Sequence, residues 1–122
     1  MILGIGNDII EVSRIGEAIS RHGGRLLDRL FTEKEKNYLL SKKHRERHIA
    51  GRFAAKEAIV KALGTGFRDG LEWTDIEILN DPRGKPHASL TGKAEELLGD
   101  GALHLTISHC REYASAVALF VS

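Results

Sequence analysis

Apolar positions recur along the chain at two different spacings, which divide it into helical and extended stretches. Met1 to Ile10 reads MILGIGNDII, with Ile2, Leu3, Ile5, Ile9 and Ile10 supplying the apolar bulk of a buried first strand. Its two glycines weaken strand propensity and permit close backbone approach. Ser13 is placed to N-cap a helix in which Ile15, Ala18 and Ile19 recur at helical spacing, and Gly23-Gly24 interrupts it. Thr32 to Glu35 has the capping-box pattern and opens a helix through Leu40, with Tyr38, Leu39 and Leu40 as packing residues. The longest helical stretch is IAGRFAAKEAIVKAL, Ile49 to Leu63, ended by Gly64-Thr65-Gly66.

From Trp73 the period changes to two. Trp73 to Leu79 alternates, with Thr74, Ile76 and Ile78 on one face and Asp75 and Glu77 on the other. Asn80-Asp81-Pro82-Arg83-Gly84 is turn chemistry, followed by a short strand after Pro86 and a small helix from Thr91 to Leu98 closed by Gly99. Leu103, Leu105 and Ile107 alternate with His104, Thr106 and Ser108. The last strand, Tyr113 to Val121, has Ala114, Ala116 and Ala118 on one face and Val117, Leu119 and Val121 on the other. A strand apolar on both sides needs cover on both, and a second subunit is the expected source. The mixture predicts an α+β fold, mostly antiparallel sheet packed on a long central helix.

A length of 122 residues suits one domain spanning 1–122, and no repeat, low-complexity tract or linker divides it. Net charge is only +1, so global charge does not indicate a nucleic-acid binder. Locally, Lys42, Lys43, His44, Arg45, Arg47, His48 and Arg52 crowd before and into the central helix. With one Glu and no interleaved aromatics this run is too mixed to indicate RNA by itself, and it suits phosphate groups generally. The single cysteine, Cys110, excludes an internal disulfide and fits a reducing compartment. No apolar run is long enough to span a bilayer and no signal-peptide pattern opens the chain, so a cytoplasmic protein is expected.

Two acids stand out because each is embedded in apolar surroundings. Asp8 interrupts the first strand, and Glu57 falls among Ile49, Ala50, Phe53, Ala54 and Val60 on a helical projection. A carboxylate there is costly to desolvate unless something positive meets it. Lys61, one turn on, is in the favourable order for an ion pair with Glu57, while a turn or cap is the plain role for Asp8. The alternative is a seat for a metal ion and a phosphate. Arg14, Arg21 and Arg25 would share one face if their helix continued through the glycines, either as solvated charge or as a docking strip for an acidic partner. On these residues alone, a Mg²⁺-dependent phosphotransfer or phosphodiester-cleaving enzyme and a non-catalytic module binding acidic protein or RNA both stay open.

Gly6 to Ile15, GNDIIEVSRI, and Phe53 to Gly64, FAAKEAIVKALG, together resemble the holo-acyl-carrier-protein synthases of the 4′-phosphopantetheinyl transferase superfamily. The first matches that family's Gly, any residue, Asp, two apolar residues, then Arg-Ile; the second matches F-x-x-K-E-A-x-x-K-A-x-G. Gly84-Lys85-Pro86 and Ser108-His109 ahead of Tyr113-Ala114 extend the resemblance over nearly the whole chain. Many members carry Asp after the Ser-His, where this chain has Cys110. The resemblance implies transfer of the phosphopantetheine arm of coenzyme A to a serine of apo-acyl carrier protein, in support of fatty acid biosynthesis, with adenosine 3′,5′-bisphosphate as by-product. It implies Mg²⁺ held by Asp8 and Glu57, with Glu57 also the route for the serine proton, directly or through water, and Lys61 neutralising the departing phosphate. It implies coenzyme A contacts from Ser108 and His109 of a neighbouring subunit, from Arg52 and Lys43, and from Gly64, Thr65, Gly66 and Pro86. It further implies a homotrimer with sites at subunit boundaries, and carrier-protein docking by Arg14, Arg21 and Arg25.

Overall fold

The computed structural model describes all 122 residues, Met1–Ser122. In chain order the elements are β1 (Ile2–Glu11), α1 (Val12–His22), α2 (Gly24–Leu30), α3 (Glu33–Leu40), α4 (Arg45–Leu63), a 3₁₀ turn (Trp73–Asp75), β2 (Ile76–Asn80), β3 (Pro86–Leu90), α5 (Gly92–Leu98), β4 (Ala102–His109) and β5 (Tyr113–Val121). One antiparallel sheet has the order β1-β5-β4, and a separate antiparallel hairpin joins β2 to β3. The fold is α+β, as its pattern predicts.

The three-stranded sheet lies directly on α4, and small residues on both sides make this possible. Cβ atoms added to Gly4 and Gly6 would stand 2.0 Å from the carbonyl oxygens of Ala62 and Ala58, so only glycine lets β1 come this close. Across the sheet, Gly6 is opposite Ala118 and Asp8 is opposite Ala116 in β5, and Ala116 is opposite Ile107 in β4. Ala114, Ala116 and Ala118 turn inward and are buried. The hairpin residues Ile76, Ile78 and Leu90 close the core around the C-terminal half of α4, while Val12, Ile15, Leu30, Phe31 and Leu39 pack with Ile49 and Ala50 near its start.

The outer face of the same sheet is bare. Ile5, Ile9 and Leu3 of β1 are 66%, 65% and 51% exposed, and Tyr113 and Val117 of β5 are exposed beside them. Strand β5 thus has its alanine face covered and its other apolar face open.

Several boundaries differ from the sequence reading. Ser13 lies inside α1, whose N-cap is Glu11 without a side-chain cap, because β1 runs straight into the helix. Gly23, with φ 57°, separates α1 from α2, so the arginines occupy two helices rather than one face. Helix α4 begins at Arg45, four residues ahead of its apolar stretch, because the basic run can coil along the surface before the core starts. Trp73–Asp75 forms a 3₁₀ turn, and only from Ile76 does strand pairing begin. The Thr32–Glu35 capping box and the left-handed Gly64 that ends α4 are as expected.

Helix α4 is not amphipathic. Residues on nearly every side are buried, and the partly open strip is Phe53, Glu57 and Lys61. Among the buried residues is Lys56, 0% exposed, whose ammonium donates to Glu35 Oε1 at 2.8 Å, to Leu30 O at 2.7 Å and to Trp73 O at 3.1 Å. Glu35, itself buried, also accepts from the Thr32 and Ile78 amides. Every proton of the ammonium is used, which is the condition for burying a charge at tolerable cost.

Candidate active site

Strand β1 carries Asp8 to the open strip of α4, and the two elements there bring Asp8, Glu57 and Lys61 together. They line a cleft of about 520 Å³ with Arg14, walled by apolar residues including Ile10, Ile15, Leu30 and Phe53. Lys61 Nζ donates to the Asn7 carbonyl at 2.9 Å and to Asp8 Oδ1 at 3.2 Å. Its ion-pair partner is therefore Asp8 across the fold, not Glu57 one turn away. Glu57 is left with a carboxyl whose pKa is raised, first by burial and then by the negative charge of Asp8, with Lys61 pulling the other way. Two carboxylates in an apolar-walled cleft, one of them lacking its own cation, form a donor set short of positive charge.

A second recess, of about 170 Å³, opens between α3, the start of α4, the β2–β3 turn and the end of β4. Tyr38, His48, Arg52, Asn80, Pro86 and His109 are among its lining residues. Arg52 is 6% exposed, donates to Asn80 Oδ1 at 2.8 Å and lies over the Tyr38 ring, and no carboxylate forms an ion pair with it. Burial lowers its pKa, yet a guanidinium remains charged in proteins. A buried cation without a counter-ion makes this recess a receptor for an anion. The rings of His48 and His109 meet edge to face at 4.8 Å on its wall. Gly51, one turn along α4 from His48, admits β4: a Cβ there would stand 2.9 Å from Ile107 Cγ2 and 3.9 Å from His109 Cδ2.

Residues 4–118 match the family described as ACPS, 4′-phosphopantetheinyl transferase superfamily. The chain belongs to that superfamily. A holo-[acyl-carrier-protein] synthase of Protochlamydia amoebophila (strain UWE25) is 52% identical over 122 residues, covering the whole of both chains. Among solved structures, a Bacillus anthracis holo-(acyl-carrier-protein) synthase in complex with CoA (3′,5′-ADP) superposes with a TM-score of 0.86 at 40% identity, covering 100% of this chain and 98% of that one. A Neisseria meningitidis holo-[acyl-carrier-protein] synthase gives a TM-score of 0.90 at 32% identity over 100% of both chains.

Within this superfamily member, the residues singled out in the sequence fall into groups. Asp8, Glu57, Lys61 and Arg14 share the first cleft, and Arg52, Pro86 and His109 share the second recess. The two sites have no lining residue in common within one protomer. Ser108 and His109 border a shallow recess with Ile9, Cys110 and Tyr113. Arg25 borders another with His22 and Arg29, and Arg21 and Lys43 are exposed outside all of these. Gly64 caps α4, and Thr65 and Gly66 follow it half-buried. The sequence reading gave no role in this recess to Tyr38, His48 and Asn80. His48 was visible as part of the basic run; nothing local set Tyr38 or Asn80 apart, since they meet only through the Asn80 Nδ2 to Tyr38 hydroxyl bond of 2.9 Å between α3 and β2.

Proposed function

We propose that this protein transfers the 4′-phosphopantetheine arm of coenzyme A to a serine hydroxyl of apo-acyl carrier protein, releasing adenosine 3′,5′-bisphosphate and supporting fatty acid biosynthesis. The observation that carries this reading is the meeting of Asp8, Glu57 and Lys61 in an apolar-walled cleft, in a chain of this superfamily.

Asp8 and Glu57 fit Mg²⁺, which is usually held by one or two carboxylates with phosphate oxygens and water completing its octahedron. The adjacent negative charge that raises the Glu57 pKa is the kind of repulsion a divalent cation relieves. When bound, the ion supplies charge neutralisation for the phosphoryl oxygens. The chain's own groups do the rest. The serine oxygen forms its bond to the phosphorus bearing pantetheine as the bond to the adenosine phosphate breaks. A Glu57 carboxylate oxygen takes the serine proton, directly or through water. Lys61, held by Asn7 O and Asp8, keeps its ammonium in the cleft to neutralise the departing phosphate.

The anion-receptive recess of Arg52 and His109 suits the nucleotide end of coenzyme A, with Lys43, Gly64, Thr65, Gly66, Pro86 and Ser108 as further contacts. Because cleft and recess share no lining residue in one protomer, coenzyme A is taken to bridge the cleft of one subunit and the recess of the next. The bare outer sheet face of β1 and β5 is consistent with burial in a homotrimer. Arg14, at the mouth of the cleft, with Arg21 and Arg25 on the helices beyond it, is assigned to docking the acidic carrier protein. The chain acts as one domain, 1–122, in the cytoplasm; no helix is long and apolar enough to cross a membrane.

Intact mass spectrometry of apo-acyl carrier protein incubated with this protein, coenzyme A and Mg²⁺, beside an EDTA control, tests the reading. A gain of one phosphopantetheine arm that EDTA abolishes is the expected result. No gain from folded protein with several carrier proteins would refute it.

A further inference from the structure

The recess around Arg52 contains more histidine than a fixed anion site requires. His48, on the first turns of α4, meets His109 of β4 with ring centroids 4.8 Å apart. Every charged neighbour that acts on it is positive: Lys42 and His44 from the segment before α4, Arg52 one turn along α4, and His109 when protonated. From α3 it faces the Tyr38 ring at 6.3 Å, and the β2–β3 turn presents Asn80, Gly84 and Pro86, none of which titrates near neutrality. No carboxylate acts on His48; Glu35 acts on Arg52 but is itself held by the Lys56 ammonium. A histidine in this setting stays neutral while the recess is empty, since a further positive charge would be desolvated among like charges. Burial and these cations indeed hold its pKa below the ordinary histidine value, burial most of all.

Resting on the coenzyme A reading above, we propose that His48 is a proton-linked ligand of the phosphomonoester that enters this recess, taking up a proton as the dianion binds. A dianion beside Arg52 reverses the sign of the local field. It turns the neighbours that oppose an imidazolium into groups already compensated, and it offers the new N–H a charged acceptor. The proton comes from solvent. Arg52 supplies the permanent half of the attraction, and His48 supplies a half that exists only below the pKa it acquires in the complex. By linkage, affinity is greatest at acid pH and declines as pH rises toward that bound-state pKa, by up to about tenfold per pH unit for one proton.

The experiment is titration calorimetry of the full-length protein with coenzyme A and with dephospho-coenzyme A, from pH 6.5 to 8.5. Each titration is run in two buffers of different ionisation enthalpy. Above about pH 7 the range lies a unit or more beyond the second pKa of a phosphomonoester, about 6, so there the ligand's own protonation contributes little. The proposal expects coenzyme A to bind more tightly than dephospho-coenzyme A, with proton uptake seen for coenzyme A alone. In His48→Phe and His48→Gln both the uptake and the decline with pH should vanish. If coenzyme A is preferred but both variants retain the wild-type uptake and pH slope, His48 is not the linked group and this inference fails alone. If the two ligands bind alike at every pH, the recess does not receive that phosphate, and the assignment of the recess falls with the inference.

Discussion

Glu57 shows how a single side chain is set by its surroundings. Burial and Asp8 raise its pKa and Lys61 lowers it. A carboxyl whose folded pKa exceeds its unfolded value binds more protons when folded, so stability falls as pH rises through the window between the two values and stays lower above it. Glu57→Gln removes that penalty. In EDTA the variant should unfold at a higher temperature than wild type at pH 7, and the difference should close below the usual glutamate range, about pH 4. Its transferase activity should be lost, the pattern of a residue kept for function at a cost in stability. Thermal denaturation from pH 4 to 8 checks this, and equal unfolding temperatures at pH 7 would count against it. The residue was legible in the sequence as an acid among apolar neighbours. Its partnership was not: Lys61 lies one turn away along the helix, yet its ammonium is bound by Asp8, 53 positions distant, because glycines let β1 settle onto α4.

At the scale of elements, the Lys56–Glu35 pair pins α4 to α3, to the end of α2 and to β2. Lys56 follows Ala55 and precedes Glu57, so it sits on the helix that carries the cleft carboxylate Glu57 and points the other way, into the core. Replacing it with Met leaves Glu35 charged, buried and short of its cation. The expected loss is about 3–5 kcal/mol of unfolding free energy, measurable by urea denaturation. A Lys56→Met and Glu35→Gln double variant should recover part of it, and additive losses would show that the two are not coupled. Half of this arrangement was written locally: Thr32 and Glu35 stand at capping-box spacing, and the box forms. The other half was hidden because Glu35 receives Lys56 and the Ile78 amide from elements 21 and 43 residues away. The apolar period of α4 misled for a related reason. A helix buried on nearly all sides has no solvent face for a period to mark.

For the whole molecule, the outer face of the β1–β5–β4 sheet is the proposed assembly face. Ile5 and Ile9 are each about two-thirds exposed, with Val117 and Tyr113 open beside them on β5. If this face joins subunits, Ile5→Glu should break the assembly, because a carboxylate cannot be desolvated there without a partner. Sedimentation should show the wild-type protein as a trimer and the variant as a monomer. Transfer activity should fall with assembly although Asp8, Glu57 and Lys61 are untouched. A variant that stays trimeric, or a wild-type monomer, would remove this face from the interface.

The sequence by itself determined the α+β class, nearly every element, the glycine approach of β1, and the acids and lysine of the cleft, because these are carried by local periodicity, turn and cap chemistry and two contiguous motifs. Tertiary structure alone decided which charges meet. It paired Lys61 with Asp8, hid Lys56 with Glu35, left Arg52 buried without a carboxylate and set His48 against His109. Electrostatic and hydrogen-bond partners are chosen by distance in space and by burial, and neither is encoded at a fixed spacing along the chain.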